Sequence, residues 1–210
     1  MKYLITAGPT REFIDDVRYI SNLSSGRMGF ALARAARQAG HSVELVAGPV
    51  DQPTPEGVER RNVTSADEMR RAVMAGVHDA DIIIMCAAVA DYRPAGRISG
   101  KMKKGPDTIT LELVKTPDIL SELGRIKEHR LLIGFALEAE NAVENAKAKL
   151  AAKNADAIVL NLPAAMGAED TTVQFITSGG GMEQIGPASK HSVAIELVKR
   201  IDWLHDARKT

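Results

Sequence analysis

The sequence predicts an α/β protein, a doubly wound and mostly parallel sheet with a C-terminal antiparallel hairpin. Three observations support this class. Short apolar runs alternate with amphipathic stretches of helical length along most of the chain. One of them, Ile82-Ile-Ile-Met-Cys86, is apolar at every position, as a parallel strand covered by helices on both faces requires. Near the end the rhythm changes, and two alternating segments flank Gly179-Gly-Gly181.

In order, Lys2–Ala7 reads as the first strand, and Ser25–Gly40 as a helix with Phe30, Leu32, Ala33, Ala36 and Ala39 along it and Gly40 as its stop. Ser42–Ala47 is the second strand. Ser65-Ala-Asp-Glu68 is a capping box that opens a helix to about His78. Asp81–Val89 is a buried strand. Arg93–Asp107, with Pro94, Gly96, Gly100, Gly105 and Pro106, reads as a mobile loop, and Thr108–Val114 alternates like a half-exposed strand. Thr116 is expected to cap the next helix, with Pro117 at its first position and Asp118 in its first turn. Then follow strand Arg130–Leu137, helix Asn141–Lys153, strand Ala157–Leu160, hairpin strands Thr172–Thr177 and Met182–Ile185, and a helix from Ser189 to about Leu204. With no repeat, low-complexity tract or linker, residues 1–210 read as one domain.

Composition narrows the function classes. The 210 residues hold 27 Lys plus Arg against 27 Asp plus Glu, so no broad nucleic-acid or acidic-membrane footprint is expected. Cys86 is the one cysteine, which fits a reducing compartment. No apolar run approaches the roughly 20 residues that span a bilayer, and no basic n-region opens the chain. The reading is a cytoplasmic protein.

The densest stretch runs from Gly8 to Gly29. It lies between a strand and a helix, the usual place for an anion site in an α/β protein. It gathers Arg11, Arg18, Asn22, Ser24, Ser25 and Arg27. Gly26 and Gly29 have the spacing of the last two glycines of a dinucleotide fingerprint, but Ser24 replaces the first. The loop is longer than a Rossmann turn, and Val46-Ala-Gly-Pro-Val50 offers no acid for a ribose hydroxyl. A phosphate or carboxylate site is therefore favoured over a nicotinamide cofactor. A plainer reading, in which the serines merely cap the helix, leaves Asn22 and the arginines unexplained.

Six motifs then stand in order: Ile5-Thr-Ala-Gly-Pro-Thr-Arg-Glu12, Arg18-Tyr-Ile-Ser-Asn-Leu-Ser-Ser-Gly-Arg-Met-Gly29, Ala87-Ala-Val-Ala-Asp-Tyr92, Lys101-Met-Lys-Lys104, Lys115-Thr-Pro-Asp-Ile119 and Gly134-Phe-Ala-Leu-Glu138. Together they resemble the phosphopantothenoylcysteine synthetases, the phosphopantothenate–cysteine ligases of coenzyme A biosynthesis, over essentially the whole chain. The likeness is to the bacterial CTP-dependent kind, often fused behind a flavin-dependent decarboxylase. Met1 lies directly before the first strand, so the decarboxylase half is expected to be absent, in either a free-standing ligase or an excised domain.

The resemblance implies a Rossmann-like fold and a homodimer, with the late hairpin as a candidate for subunit contacts. It implies 4′-phosphopantothenate, L-cysteine and CTP as substrates with Mg²⁺, and an acyl-cytidylate intermediate. It assigns catalytic roles to Asn22 and Lys101. It places Arg18, Asn22, Ala87 and Ala88 at the acyl substrate. The nucleotide falls to Ser24, Gly26, Asp91, Lys101, Thr116, Pro117, Asp118, Ile119, Phe135, Lys149 and Lys153, and the metal to Asp91. Plainer readings stand beside these: an ion pair of Arg18 with Asp15 or Asp16, helix capping by Thr116–Asp118, a core role for Phe135, and solvated charges for Lys103, Lys104 and Lys147. Lys149 and Lys153, four apart, share a helix face. The chain departs from the family pattern at Leu137-Glu138-Ala139, where Glu-Thr is usual, and at Asn161-Leu162, where Asn-Asp is usual, which bears on base and ribose recognition. ATP as the nucleotide, a nicotinamide-dependent reductase and a non-catalytic nucleotide-binding module are the competing readings.

Overall fold

The computed structural model describes residues 1–105, 107–138, 140–161 and 170–209. Pro106, Ala139 and Leu162, named above, lie outside the described residues. The elements are β1 (Lys2–Ala7), β2 (Arg11–Phe13), β3 (Tyr19–Ser21), α1 (Arg27–Gln38), β4 (Ser42–Ala47), β5 (Glu59–Asn62), α2 (Ala66–Gly76), β6 (Ile82–Met85), β7 (Tyr92–Pro94), β8 (Leu113–Lys115), α3 (Ile119–Ile126), β9 (Leu131–Leu137), α4 (Ala142–Ala152), β10 (Ala157–Asn161), β11 (Asp170–Thr177), β12 (Met182–Ser189) and α5 (Lys190–Asp206).

An eight-stranded sheet runs β12-β11-β10-β9-β6-β1-β4-β5. Its strands from β10 to β5 are parallel, and β11 and β12 close it antiparallel. The chain winds outward through β1, β4 and β5, then crosses back and winds the other way through β6, β9 and β10. The point of reversal lies between β1 and β6, which is where open α/β sheets bind ligands, at the carboxyl ends of the strands. The Rossmann-like class read from the sequence is the class observed.

Pleating sends alternate side chains to opposite faces. Tyr3, Ile5, Ile82 and Ile84 face α1 and α5, packing with Phe30, Leu32, Val193 and Leu197. Leu4, Ile83 and Leu132 face α2, α3 and α4, packing with Met69, Val73, Leu123 and Leu150. Each such fully buried side chain contributes about 1.5–3 kcal/mol. Gly29 sets the depth of α1: a Cβ there would lie 2.5 Å from Ala7 Cβ, so the helix rests directly on β1. The bottom of this face is tied by Asp202 of α5, which accepts from the Tyr3 hydroxyl and contacts His41 Nε2 at 2.9 Å.

Several elements differ from the sequence reading. The Gly8–Gly29 connection contains a small antiparallel hairpin, β2 on β3. The edge strand β5, Glu-Arg-Arg-Asn, has no apolar alternation to betray it. Of Thr108–Val114, only Leu113 and Val114 are in a strand, β8, which continues to Lys115 and pairs with β7; Ile109 and Leu111 are exposed. The buried strand is shorter than Asp81–Val89, because after Met85 the ladder to β1 is interrupted: Ala87 N and Ala90 N go to threonine hydroxyls, and an isolated bridge between Pro9 and Ala88 remains. The late hairpin needed a partner surface, and it finds one inside the chain: β11 pairs with β10, and α5 packs on both hairpin strands. The sheet's outer edges are polar. β5 carries Glu59, Arg60 and Arg61, while β12 carries Glu183 and Gln184, together with Pro187, which has no N–H to offer.

Candidate active site

At the point of reversal the segment after β6 is laced to the segment after β1. Ala87 N donates to Thr6 Oγ1 at 3.1 Å, and Ala90 N to Thr10 Oγ1 at 3.1 Å. Ala88 N donates to Gly8 O at 2.9 Å. Thr6 and Thr10 are fully buried, so each hydroxyl satisfies an amide that no strand partner could reach. Gly8 and Gly26 both have positive φ, 78° and 73°, a conformation open to glycine at little cost. A Cβ at Gly48 would lie 1.8 Å from Pro9 O. The chain's own loop thus crowds the end of β4, beside which a Rossmann cofactor's ribose would sit, and this weighs against the nicotinamide reading.

Asn22 leans over this lacework. Its Nδ2 donates to Ala88 O at 3.1 Å and Val89 O at 3.3 Å. The amide is exposed on its other side, and a ligand calling on its N–H groups has to displace one of these carbonyls. Ser24 Oγ accepts from Gly26 N at 3.4 Å, and α1 starts at the left-handed Gly26 with no side-chain cap on its own amides. The first amides of α1 therefore remain available to an anion.

The opposite wall is charged. Asp118, not Thr116, caps α3, accepting from Ser121 N at 3.0 Å. Thr116 instead donates its hydroxyl to Ala90 O at 2.5 Å, and its N–H to Asp91 O at 3.0 Å, fastening the two walls. Pro117 consequently precedes the helix instead of opening it. Lys153 reaches Asp118 Oδ2 at 2.5 Å. Burial alone pushes the Asp118 carboxyl up, but Lys153 and the Ser121 N–H outweigh it and leave it below the ordinary range. Gly124 makes the pair possible: a Cβ there would lie 1.9 Å from Lys153 O, so α3 meets the end of α4 backbone to backbone. Lys149 donates to Phe135 O at 2.9 Å; burial pushes its ammonium down, against the upward pull of Glu138, Asp91 and Asp118. Phe135 is partly buried beside it, and Ile119 lies in the core under α3. Asp91 is exposed at the rim.

Lys101 is on a flap that the sequence read as mobile. Its first half is fastened to the turn between β2 and β3. Asp15, fully buried, accepts from Val17 N and Arg18 N at 2.7 Å each, from Arg18 Nη1 at 2.7 Å and from Met102 N at 3.1 Å. Asp16 accepts from Arg97 Nη2 at 2.8 Å and Gly100 N at 2.7 Å. Arg97 lies 4.8 Å over the Phe13 ring. Desolvation pushes the Asp15 carboxyl up, but the three amides and the Arg18 guanidinium overcome it and hold it at about 2. Arg18 thus makes the ion pair that was the plainer reading, and also donates to Met102 O at 3.2 Å.

The chain matches the family described as the DNA/pantothenate metabolism flavoprotein C-terminal domain over residues 1–204. It belongs to that family. The coenzyme A biosynthesis bifunctional protein CoaBC of Haemophilus influenzae is 45% identical over 201 residues, which is 94% of this chain and 50% of that protein. The chain therefore spans about half the length of the curated relatives it matches. The crystal structure of the C-terminal domain of a CoaBC protein superposes with a TM-score of 0.86 at 39% identity, covering 98% of this chain and 96% of that one. The DNA/pantothenate metabolism flavoprotein of Streptococcus pneumoniae gives a TM-score of 0.86 at 25% identity, covering 97% and 99%.

For this pantothenate-metabolism domain, the structure links part of the residues singled out in the sequence at the carboxyl end of the sheet. Asn22, Ala87 and Ala88 form one group and Asp118, Lys149 and Lys153 another, with Thr116 tied to Ala90 and Asp91 between them; Arg18 turns instead to Asp15, and among the described residues no contact joins Lys101 to either group. Sequence reasoning missed the fastening groups Thr6 and Thr10, and saw Asp15 and Asp16 as partners of Arg18 but not as the ties that hold the flap. Asp15 had a local signal, since an Asp whose side chain accepts from the second amide after it makes an Asx turn. The tie to Met102, 87 residues away, has none.

Proposed function

We propose that this chain catalyses the ligation of 4′-phosphopantothenate to L-cysteine in coenzyme A biosynthesis, consuming CTP and releasing CMP and pyrophosphate. The relatives' names place them in that pathway, and a single geometric observation favours the two-step chemistry here. Thr116 fastens the neutral hydrogen-bonding group around Asn22 and Ala88, through Ala90 and Asp91, to the charged segment that carries the Asp118–Lys153 pair, with Lys149 beside it.

In the first step a carboxylate oxygen of phosphopantothenate attacks the α-phosphorus of CTP, and the bond to the β-phosphate breaks. The chain's part is to hold anions together, through Lys101 on the flap and Lys149 and Lys153 on α4, with the amides at Gly26 receiving phosphate oxygens. Phe135 and the Thr116–Ile119 segment flank the base and ribose. In the second step the cysteine amine attacks the acyl carbonyl, and the bond to CMP breaks. Asn22 supplies a neutral donor to the oxygen that gains charge, and Arg18 orients the acyl substrate. The closed flap excludes water from an intermediate prone to hydrolysis.

Among the described residues no three His, Cys, Asp or Glu side chains converge as a metal cage. Mg²⁺ binds through one or two carboxylates plus phosphates, and the exposed carboxylate of Asp91 suits that mode. Asp91 would hold it, and it would neutralise phosphate charge. A homodimer completes the proposal. Its surface is placed on the two small hairpins, where Leu23 is 92% exposed, Ile109 62%, and Tyr19, Tyr92 and Leu113 exposed nearby, instead of on the internally paired late hairpin. No helix of the described residues is long and apolar enough to cross a membrane, and the work is assigned to the cytoplasm.

The test is pyrophosphate release with phosphopantothenate, cysteine and Mg²⁺, comparing CTP with ATP. Release with CTP and formation of phosphopantothenoylcysteine are expected. No release with either nucleotide defeats the proposal, and faster release with ATP reassigns the nucleotide. Sedimentation at micromolar concentration checks the dimer.

A further inference from the structure

A basic cavity of about 280 Å³ opens beside the start of α1, bordered by the segment after β4 and the start of α5. Arg27, Arg34, Lys190, His191, Gln52 and Phe30 line it, and among the described residues no Asp or Glu does. The chain as a whole balances 27 cations with 27 anions, so the two guanidiniums of Arg27 and Arg34 beside one hollow are a local excess. Arg27 and Arg34 are seven residues apart, about two turns, and share a face of α1. Neither makes an ion pair among the described residues. Burial, and then the charge of Arg27, push the Lys190 ammonium down, while Asp170 pulls it up. His191 Nδ1 is buried without a hydrogen-bond partner among the described residues, and native proteins leave few such atoms unpaired.

We propose that this cavity binds the phosphate group of a small phosphomonoester. Two guanidiniums offer planar forks of donors that match phosphate oxygens. His191 lines the same hollow, and a turn of its ring would bring its unpaired Nδ1 to a third. Phe30 and the aliphatic stems of the arginines give an organic remainder something apolar to touch. The volume lies just below the roughly 300–1,000 Å³ of ordinary small-molecule sites, which suits a compact ligand. The site lies away from Asp118, Lys149 and Lys153, which come from α3, α4 and their ends, and opens on the α1 and α5 face of the sheet, next to the Gly26 amides assigned to the nucleotide phosphates. It stands whether or not the ligase reading does.

The experiment follows the ring nitrogens of His191 by NMR, in protein labelled at its five histidines, during titration with inorganic phosphate and, separately, with glycerol 3-phosphate. A saturable shift at His191 is expected, with glycerol 3-phosphate binding more tightly. Arg34→Glu, at an exposed position, should weaken binding by about tenfold or more, the scale of one charge-assisted contact. Arg71→Glu, exposed on α2, makes the same change in net charge and should leave binding intact. Lys190→Gln gives a milder loss without charge reversal and serves if Arg34→Glu misfolds. No saturable shift at His191, or equal weakening by Arg34→Glu and Arg71→Glu, overturns the proposal. Equal affinity for the two ligands overturns the phosphomonoester and leaves a site for the free ion.

Discussion

The two walls of the cleft are built on different physics. The wall around Asn22, Ala87 and Ala88 is held by neutral hydrogen bonds, accepted by the Thr6 and Thr10 hydroxyls and donated by Asn22. The wall around Asp118, Lys149 and Lys153 is held by an ion pair and a half-buried ammonium. Neutral hydrogen bonds are insensitive to pH and salt, and in the proposed reaction they can define a position for an uncharged acyl carbon. Paired charges at a rim are screened and exchangeable, and can release an aspartate's lysine to an incoming phosphate. The difference teaches that one cleft can separate the fixing of geometry from the gathering of charge.

The largest break in this comparison is expected from Asn22→Asp. A carboxylate facing the carbonyls of Ala88 and Val89 cannot donate to either, nor to a developing oxyanion. Turnover should fall by about 10²–10³, the cost of one such donor, while the first step persists; mass spectrometry should find the acyl-cytidylate. Wild-type turnover with no intermediate would remove Asn22 from the mechanism. Gly124→Ala strikes the charged wall through its backbone. The added methyl meets Lys153 O, so urea unfolding should show a loss of about 1–3 kcal/mol and weaker CTP binding. Lys153→Met should separate the two walls more gently. Its pair with Asp118 is partly exposed, so stability should change by only about 0–1 kcal/mol, while KM for CTP rises. An unchanged KM would assign Lys153 to capping alone.

Asp15→Asn tests the fastening of the flap to the neutral side. The variant should be cut by trypsin faster at Lys101, Lys103 and Lys104 than wild type. Its pH signature has a fixed sign. Asp15 is held at about 2, below the ordinary 3.8, so its contribution is fully present above about pH 4 and is lost as pH falls towards 2. The difference in Tm between wild type and Asp15→Asn should therefore shrink across that window. A constant difference would mean that the carboxylate charge does not hold the flap.

Much of the sheet was legible because its central strands are apolar on both faces, as at Ile82-Ile-Ile-Met-Cys86. β5 was not, since a solvated edge strand of Glu-Arg-Arg-Asn has no periodic signal. Thr116 looked like a cap because Thr-Pro-Asp satisfies local rules, yet its hydroxyl is claimed by Ala90 O, and Asp118 takes the helix amide. The small hairpins escaped notice because three-residue strands do not establish an alternation. Asn22 and Lys101 were singled out through the order of motifs, and Lys149 and Lys153 through a shared helix face and the resemblance, but the ties of Asn22 to Ala88 and of Lys153 to Asp118 depend on contacts that no local pattern encodes. Gly124 is the clearest case, ordinary in sequence and required where α3 meets α4.

The polar edges of the sheet have a consequence for assembly. An edge strand with free amides can recruit a strand from another copy, and charge or proline there suppresses this. Glu59, Arg60 and Arg61 guard one end of the sheet, and Pro187 with Glu183 guards the other. Growth of the sheet from copy to copy, the route to open-ended fibres, is thereby disfavoured at both ends. The dimer proposed above would then have to use a side-chain surface, such as that of the small hairpins, where contacts can close on themselves and stop at two.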